Sequence, residues 1–189
     1  MKFKPKYIII LSVFFIACIS VEKPLVIDGS NPGLILVNGV LKLDDIPFSG
    51  HLNMYYPNGR LKSDIQYSKG KKHGKEMRWF IDGDLAMERF YTNGFKSGIH
   101  KAWWENGNQK FEYYFNDKGE YHGSVKEWRK TGKLYMSFNY VKGKESGSQR
   151  LWKLDGSIKA NYEVVKGERF GLIGLKKCYT VTTNSDEIK

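Results

Sequence analysis

Four histidines, His51, His73, His100 and His122, each stand within two residues of a glycine. Imidazole binds zinc and titrates near neutral pH, so histidines recurring at one kind of place first raise a metal site or a general base. Three carboxylates, Asp64, Glu88 and Glu112, follow one another at the same interval and could supply paired acid and base groups. Four of the five tryptophans, Trp79, Trp103, Trp128 and Trp152, are spaced alike and offer flat faces on which a sugar or a base could stack.

The spacing itself weighs those chemistries against a structural role. Glycines fall at positions 50, 74, 98, 123, 147 and 171, and two further series, 59, 83, 107, 132, 156 and 70, 94, 119, 143, 167, keep nearly the same period. A fixed period of this size marks stacked units, each too small to bury its apolar face alone. Tyr55, Trp79, Trp103, Trp128 and Trp152 all stand five residues after a first-series glycine. They read as rungs of a structural ladder.

Stepping out from the rungs, the residues after each second-series glycine alternate in character: Leu61, Ser63, Ile65, Tyr67 in the first unit, Leu134, Met136, Phe138, Tyr140 in the fourth. Period two predicts a strand with one buried face. The connection before it reads PNG, IDG, ENG, KTG or LDG. Pro57 suits the first central position of a type I turn, which favours a three-residue loop closed by a left-handed glycine over a two-residue turn. With that loop Tyr55 lies opposite Leu61 and Trp79 opposite Leu85, and the ladder is expected on the apolar side. The next position, Tyr56, Phe80, Trp104, Arg129 and Lys153, is then expected on the polar side together with Phe90 and Tyr114. It forms a candidate binding face, aromatic in the first three units and cationic in the last two.

Together these readings predict an all-β fold, a single elongated meander of stacked β-hairpins of about five 24-residue units, extending about 48 Å. Residues 36–50 read as an incomplete leading unit and residues 168–181 as a closing strand. The third unit carries one extra residue, assigned to the turn at 116–119, where strand register is untouched.

Against that frame the chemistry recedes. Neighbouring units lie about 9.6 Å apart, so at most adjacent histidines could share an ion, and Lys-His-Gly reads better as a turn preference. The carboxylates are interleaved with lysines, which points to cross-strand charge pairs. No nucleophile, phosphate-loop or zinc-protease motif occurs. The expectation is a protein that is not an enzyme and takes no metal or cofactor. A basic edge remains: Lys69, Lys118, Lys142 and Lys166 each precede a third-series glycine, in a chain of formal charge +11. Such a row attracts anionic lipid, an acidic partner or a glycan phosphate, or guards a sheet edge against pairing.

The N-terminus, MKFKPKYIIILSVFFIAC, has three lysines, an apolar run from Tyr7 to Ala17 and then Cys18. That is the layout of a secretory signal, too short to span a bilayer; the competing reading is an uncleaved anchor continuing to Val21. The chain therefore divides into a signal peptide (1–17), a new N-terminus at Cys18 and Pro/Gly-containing tether (18–34), the unit domain with its caps (35–181) and a polar tail (182–189). Cys178, within LKKCYTV, is expected to be buried.

The stretch PFSGHLNMYYPNGRLKSDIQYSKGKKHG and its later copies, residues 47 to about 171, resemble the MORN repeat, and more closely its bacterial variant. Phe15-Ile16-Ala17-Cys18 is similar to the lipobox of bacterial lipoproteins, with Phe15 where an aliphatic residue is usual. The first resemblance implies a non-catalytic scaffold that binds a protein or an envelope surface. The second implies lipidation at Cys18 and a membrane-anchored lipoprotein of the bacterial cell envelope. Many bacterial variant-repeat proteins are labelled antitoxins or immunity proteins, which implies an alternative: neutralising a toxin by binding it. Export argues against a cytoplasmic toxin, and against nucleic acid, the partner that basic strands with interleaved aromatics would otherwise suggest.

Overall fold

The structure, a computed structural model, describes residues 23–174. The signal segment, Cys18, Cys178 and the polar tail lie outside the described residues. Four short strands come first: β1 (Val26–Asp28), β2 (Leu34–Val37), β3 (Val40–Leu43) and β4 (Ile46–Pro47). The alternating segments then pair as predicted, through β5 (Gly50–Tyr55), β6 (Leu61–Ser68), β7 (Lys71–Trp79), β8 (Leu85–Thr92), β9 (Phe95–Trp103) and β10 (Gln109–Phe115). The rest are β11 (Tyr121–Trp128), β12 (Leu134–Val141), the two-residue β13 (Lys144–Glu145), β14 (Gly147–Trp152), β15 (Ile158–Val165) and β16 (Glu168–Leu172).

From β5 onward each strand lies beside its sequence neighbour in one 13-stranded sheet, with β13 as a side pairing on β12. Every pairing in it is antiparallel except β1 on β5, which is parallel. Residues 26–28 belong to the stretch read as tether, yet they form the sheet's first strand. Gly50 makes room for them: at φ +145° it has no side chain, and a Cβ there would lie 2.2 Å from the Leu25 carbonyl. Strands β2, β3 and β4 form a separate three-stranded sheet that covers the first turn. Leu41 N–H donates to Gly70 O, Gly70 N–H to Phe48 O, and Phe48 is buried with its ring 6.0 Å from that of Tyr67.

Two kinds of loop alternate along the meander. At the second-series glycines, Tyr56 N–H donates to Arg60 O and Gly59 N–H to Tyr56 O, and the pattern repeats at Phe80, Trp104, Arg129 and Lys153. That is the three-residue loop expected from Pro57. On the opposite edge, Lys69-Gly70, Asn93-Gly94, Lys142-Gly143 and Lys166-Gly167 are two-residue turns with both residues at positive φ, the type I′ geometry. The extra residue of the third unit changes its turn alone: Asn116 N–H donates to Glu120 O and Gly119 N–H to Asn116 O, a three-residue loop in place of two.

The ladder residues pair as predicted, Tyr55 with Leu61, Trp79 with Leu85, Trp103 with Gln109, Trp128 with Leu134 and Trp152 with Ile158. Their face is the reverse of the one expected. Immediately after each loop the register shifts by one residue, so Met54 pairs with Ser63 while its neighbour Tyr55 pairs with Leu61. A β-bulge of this kind adds a residue to one strand and turns the alternation over. Hydrogen bonds confirm the reversal. Asn53, which pairs with Asp64, donates to Tyr55 Oη at 3.4 Å, and Gln109 donates to Glu112 Oε2 at 3.4 Å. The tryptophans thus share the face of Asp64, Glu88 and Glu112.

The other face holds most of the burial. Ile65, Ala102, Phe115, Val125, Ala160, Tyr162 and Val164 are buried there. A continuous chain of rings also runs along it, Tyr91 to His100 to Phe115 to Tyr121 to Tyr140, with successive centroids 5.5, 4.6, 4.8 and 5.2 Å apart. The unbroken aromatic ladder therefore stands eight residues after the second-series glycines, at Tyr91, Phe115 and Tyr140, rather than at the tryptophans.

Candidate binding surfaces

The four histidines do not form a set. Alternation along the strands sends His51 and His100 to opposite faces, and only His73 and His122 occupy the same place in their units. His51 Nδ1 lies 2.8 Å from Asp64 Oδ1 on the charged face. His73 and His122 lie inside β7 and β11, so Lys-His-Gly is not itself a turn; their Nδ1 atoms accept from the backbone N–H of Asn93 and Lys142, in the turns of the next hairpins, at 3.3 and 3.4 Å. His100 stands in no turn: it is 2 % exposed in the middle of the aromatic face. Its Nε2 lies 2.8 Å from the Phe90 carbonyl, so Nε2 carries the proton and donates. Burial first, and then the charges of Arg89 and Lys96, hold this imidazole below its ordinary pKa, although the bond to Phe90 works the other way. Among the described residues no group of three or more His, Cys, Asp or Glu side chains is placed to hold a metal ion.

His100 marks a position that sequence reasoning did not single out. Two residues after the first five glycines of the first series stand Leu52, Glu76, His100, Val125 and Gln149, and Glu76 and Gln149 are fully buried. Glu76 receives Lys72 Nζ at 2.7 Å and Arg78 at 2.6 Å. Burial pushes its carboxyl up, but the hydrogen bonds and charges of Lys72 and Arg78 outweigh that and hold it below the ordinary value. A second carboxylate, Glu127, accepts from the hydroxyls of Tyr113 and Tyr135. Burial and that bond push the Tyr135 hydroxyl up to about 12. The signal for these groups was present as polar residues at positions whose alternation belongs to the apolar face.

On the charged face the carboxylates pair as expected. Lys75 Nζ lies 3.1 Å from Glu88 and Lys101 Nζ 3.4 Å from Glu112, while Asp64 takes its histidine rather than a lysine. Exposed pairs of this kind contribute about 0–1 kcal/mol each and present no poised acid and base.

The candidate binding face is divided by the bulge. Phe90, paired with Lys75, and Tyr114, whose hydroxyl donates to Glu112 at 3.3 Å, lie on the charged face. Tyr56, Phe80, Trp104, Arg129 and Lys153 lie at the loops on the other side, so the seven residues make no contiguous patch. Most of the loop residues are half-buried, and three of them tie one loop to the next. Tyr56 Oη donates to Trp79 O at 2.9 Å, Trp104 Nε1 to Trp128 O at 3.1 Å and Arg129 Nη2 to Trp152 O at 3.1 Å. Phe80 has no donor for that bond. Its ring lines a depression of about 240 Å³ with Trp103, Trp104 and Lys110.

Between the last two loops lies a larger open depression of about 600 Å³, lined by Arg129, Tyr135, Trp152, Lys153, Leu154 and Lys159 beside Leu151. The lysine edge is on the opposite side of the sheet. Lys69, Lys142 and Lys166 are exposed there at φ 49°, 50° and 51°, whereas Lys118 stands in the longer turn without a positive φ. No protein-family model matches the chain, and no curated protein matches it.

Proposed function

We propose that this chain is a non-catalytic MORN-variant scaffold of the cell envelope, attached through a lipid on Cys18, with its lysine edge turned toward the anionic surface that carries it. The observation that carries the reading is where the chain enters the sheet. His51 N–H donates to the Leu25 carbonyl at 2.7 Å, and Val26 pairs with His51 beside Gly50, at the end of β5 that faces the turn of Lys69. Leu25 lies seven positions after Cys18, a span of about 25 Å at full extension. The chain thus enters the sheet at the edge of the lysine turns rather than at the three-residue loops.

The backbone at that edge supports the same reading. A left-handed conformation costs a non-glycine residue about 1–2 kcal/mol, and asparagine or glycine is the ordinary choice for the first position of a type I′ turn. Lysine at that position in three turns is explained by its charge: near an anionic membrane each lysine contributes about 1 kcal/mol of attraction.

The experiment is the intact mass of the protein from its native cells, with palmitate labelling, for the wild type and Cys18→Ala. A labelled chain beginning at Cys18, with the label lost in the variant, supports the proposal. An unlabelled chain that retains Met1 overturns it.

A further inference from the structure

We propose that the depression between the fourth and fifth loops binds an acidic peptide segment whose carboxylates flank an apolar side chain. Its volume, about 600 Å³, lies within the ordinary range of ligand sites. Three cations surround it, Arg129, Lys153 and Lys159. None of them is in an ion pair among the described residues. Two carboxylates lie near it: Asp155 is turned onto its own loop, accepting from Ser157 N–H at 2.8 Å and Oγ at 2.6 Å, and Glu127 accepts from the hydroxyls of Tyr113 and Tyr135. Neither carboxylate is within ion-pair distance of the three cations, and the site keeps an excess of positive charge for a ligand.

Arg129 is set before any ligand arrives. Its Nη2 donates to Trp152 O at 3.1 Å, and its guanidinium stands 4.8 Å from the centre of the Tyr135 ring. Held so, the planar fork is oriented to receive a carboxylate on its free edge. The surface between the cations is apolar, made by Leu151 and Tyr135, with Leu154 at the rim 79 % exposed, while Trp152 supplies the main-chain carbonyl that Arg129 holds. A bare phosphate would satisfy the charges and leave these side chains wet. A peptide with an aliphatic or aromatic residue between acidic ones satisfies both.

The site belongs to this end of the sheet alone, since the corresponding loop positions of the first three units are Tyr56, Phe80 and Trp104. It also opens at the edge opposite the lysine turns, so it does not depend on the envelope reading.

The test is calorimetric titration of the full chain with a short capped peptide in which leucine and tryptophan are flanked by aspartate and glutamate. The same peptide with lysines for the acids, and inorganic phosphate, serve as controls. The acidic peptide binds and its affinity falls with added salt, while the lysine peptide does not bind. Lys153→Gln combined with Lys159→Gln, two exposed changes that remove no contact holding the fold, weakens binding about tenfold. Arg129→Lys weakens it although the charge is kept, and Leu154→Ser weakens it without touching a charge. Absence of binding, equal binding of the lysine peptide, displacement by phosphate at the peptide's own concentration, or indifference to Leu154→Ser overturns the proposal.

Discussion

His100 and Gln149 make the same hydrogen bond from the same place in two units: Nε2 of each lies 2.8 Å from a main-chain carbonyl, that of Phe90 for the histidine and that of Asn139 for the glutamine. In both places the strand ladder is interrupted. The register of β8 on β9 shifts between Glu88 and Phe90, and β12 pairs with β14 only at Met136 and Ser137. A buried carbonyl left out of the ladder costs about 1–3 kcal/mol, and the side chain two residues after the glycine removes that cost. The residue types differ because the task is set by one donor at one place, which an imidazole and an amide both supply.

This equivalence predicts how His100 responds to substitution and to acid. Its pKa is lowered on folding, so below the unfolded value of about 6.5 the unfolded chain binds a proton that the folded chain resists. Stability is then fully present above that pH and is lost as pH falls toward the folded value. His100→Gln keeps the bond to Phe90 and removes this titration. Urea unfolding at neutral and mildly acid pH should show a smaller acid-induced loss in the variant than in the wild type. Equal losses would show that His100 is protonated without penalty in the folded state.

Glu76 responds at lower pH. Its carboxyl is held below the ordinary value by Lys72 and Arg78 against the effect of burial. It therefore contributes stability above the unfolded carboxylate pKa of about 4.3, and that contribution is lost as pH falls through the lowered folded value. Glu76→Gln leaves Lys72 and Arg78 without their partner. Both cations reach water, with side chains 29 % and 47 % exposed, so the expected loss at neutral pH is about 1–3 kcal/mol rather than that of a fully buried broken pair. The stability gap between the two proteins should be largest at pH 7 and narrow only below the unfolded carboxylate value of about 4.3, closing as pH falls through the lowered folded value and the wild-type carboxylate is protonated.

The lysine turns predict a change in the opposite direction. Lys142 sits at φ 50° before Gly143, and an Asn-Gly pair prefers that geometry. Lys142→Asn should raise stability by about 0.5–1 kcal/mol, part of the cost of a left-handed non-glycine residue. Thermal unfolding of the single variant, and of the same change at Lys69 and Lys166, checks it. An unchanged midpoint at all three would mean that lysine is not strained in these turns.

The period, the strand alternation and the three-residue loop at Pro57 were all legible in the sequence, because each rests on local chemistry repeated at fixed spacing. The faces were not. The bulge that follows each loop falls on Lys62, Ala86, Lys110, Tyr135 and Lys159, three lysines, an alanine and a tyrosine, a set with no glycine or other residue that marks a bulge. A single uncounted residue carried the tryptophans to the charged side and split Phe90 and Tyr114 from Trp104. Strand β1 was hidden for another reason: Val26, Ile27 and Asp28 are too few to show a period, and their pairing depends on Gly50, far along the chain. The polar residues Glu76, His100 and Gln149 were in view but were read as turn chemistry or passed over, since an apolar face was expected to hold apolar side chains.

Trp104 is where the corrected faces make the sharpest prediction. On a polar face its removal would chiefly cost binding. Its indole nitrogen instead donates to the Trp128 carbonyl at 3.1 Å, and Lys110 stands 4.4 Å over its ring, so the side chain joins the third loop to the fourth. Trp104→Phe keeps a ring and loses the donor, an expected cost of about 1 kcal/mol. Trp104→Ala loses the packing as well, and being half-buried it should cost about 2–4 kcal/mol, somewhat below the scale for a fully buried aromatic. Both changes should speed amide exchange at the loops of Trp104 and Trp128 before they affect β5 and β6. An alanine variant as stable as the wild type would mean that the bond between these loops contributes nothing, and that Trp104 is held out for a ligand after all.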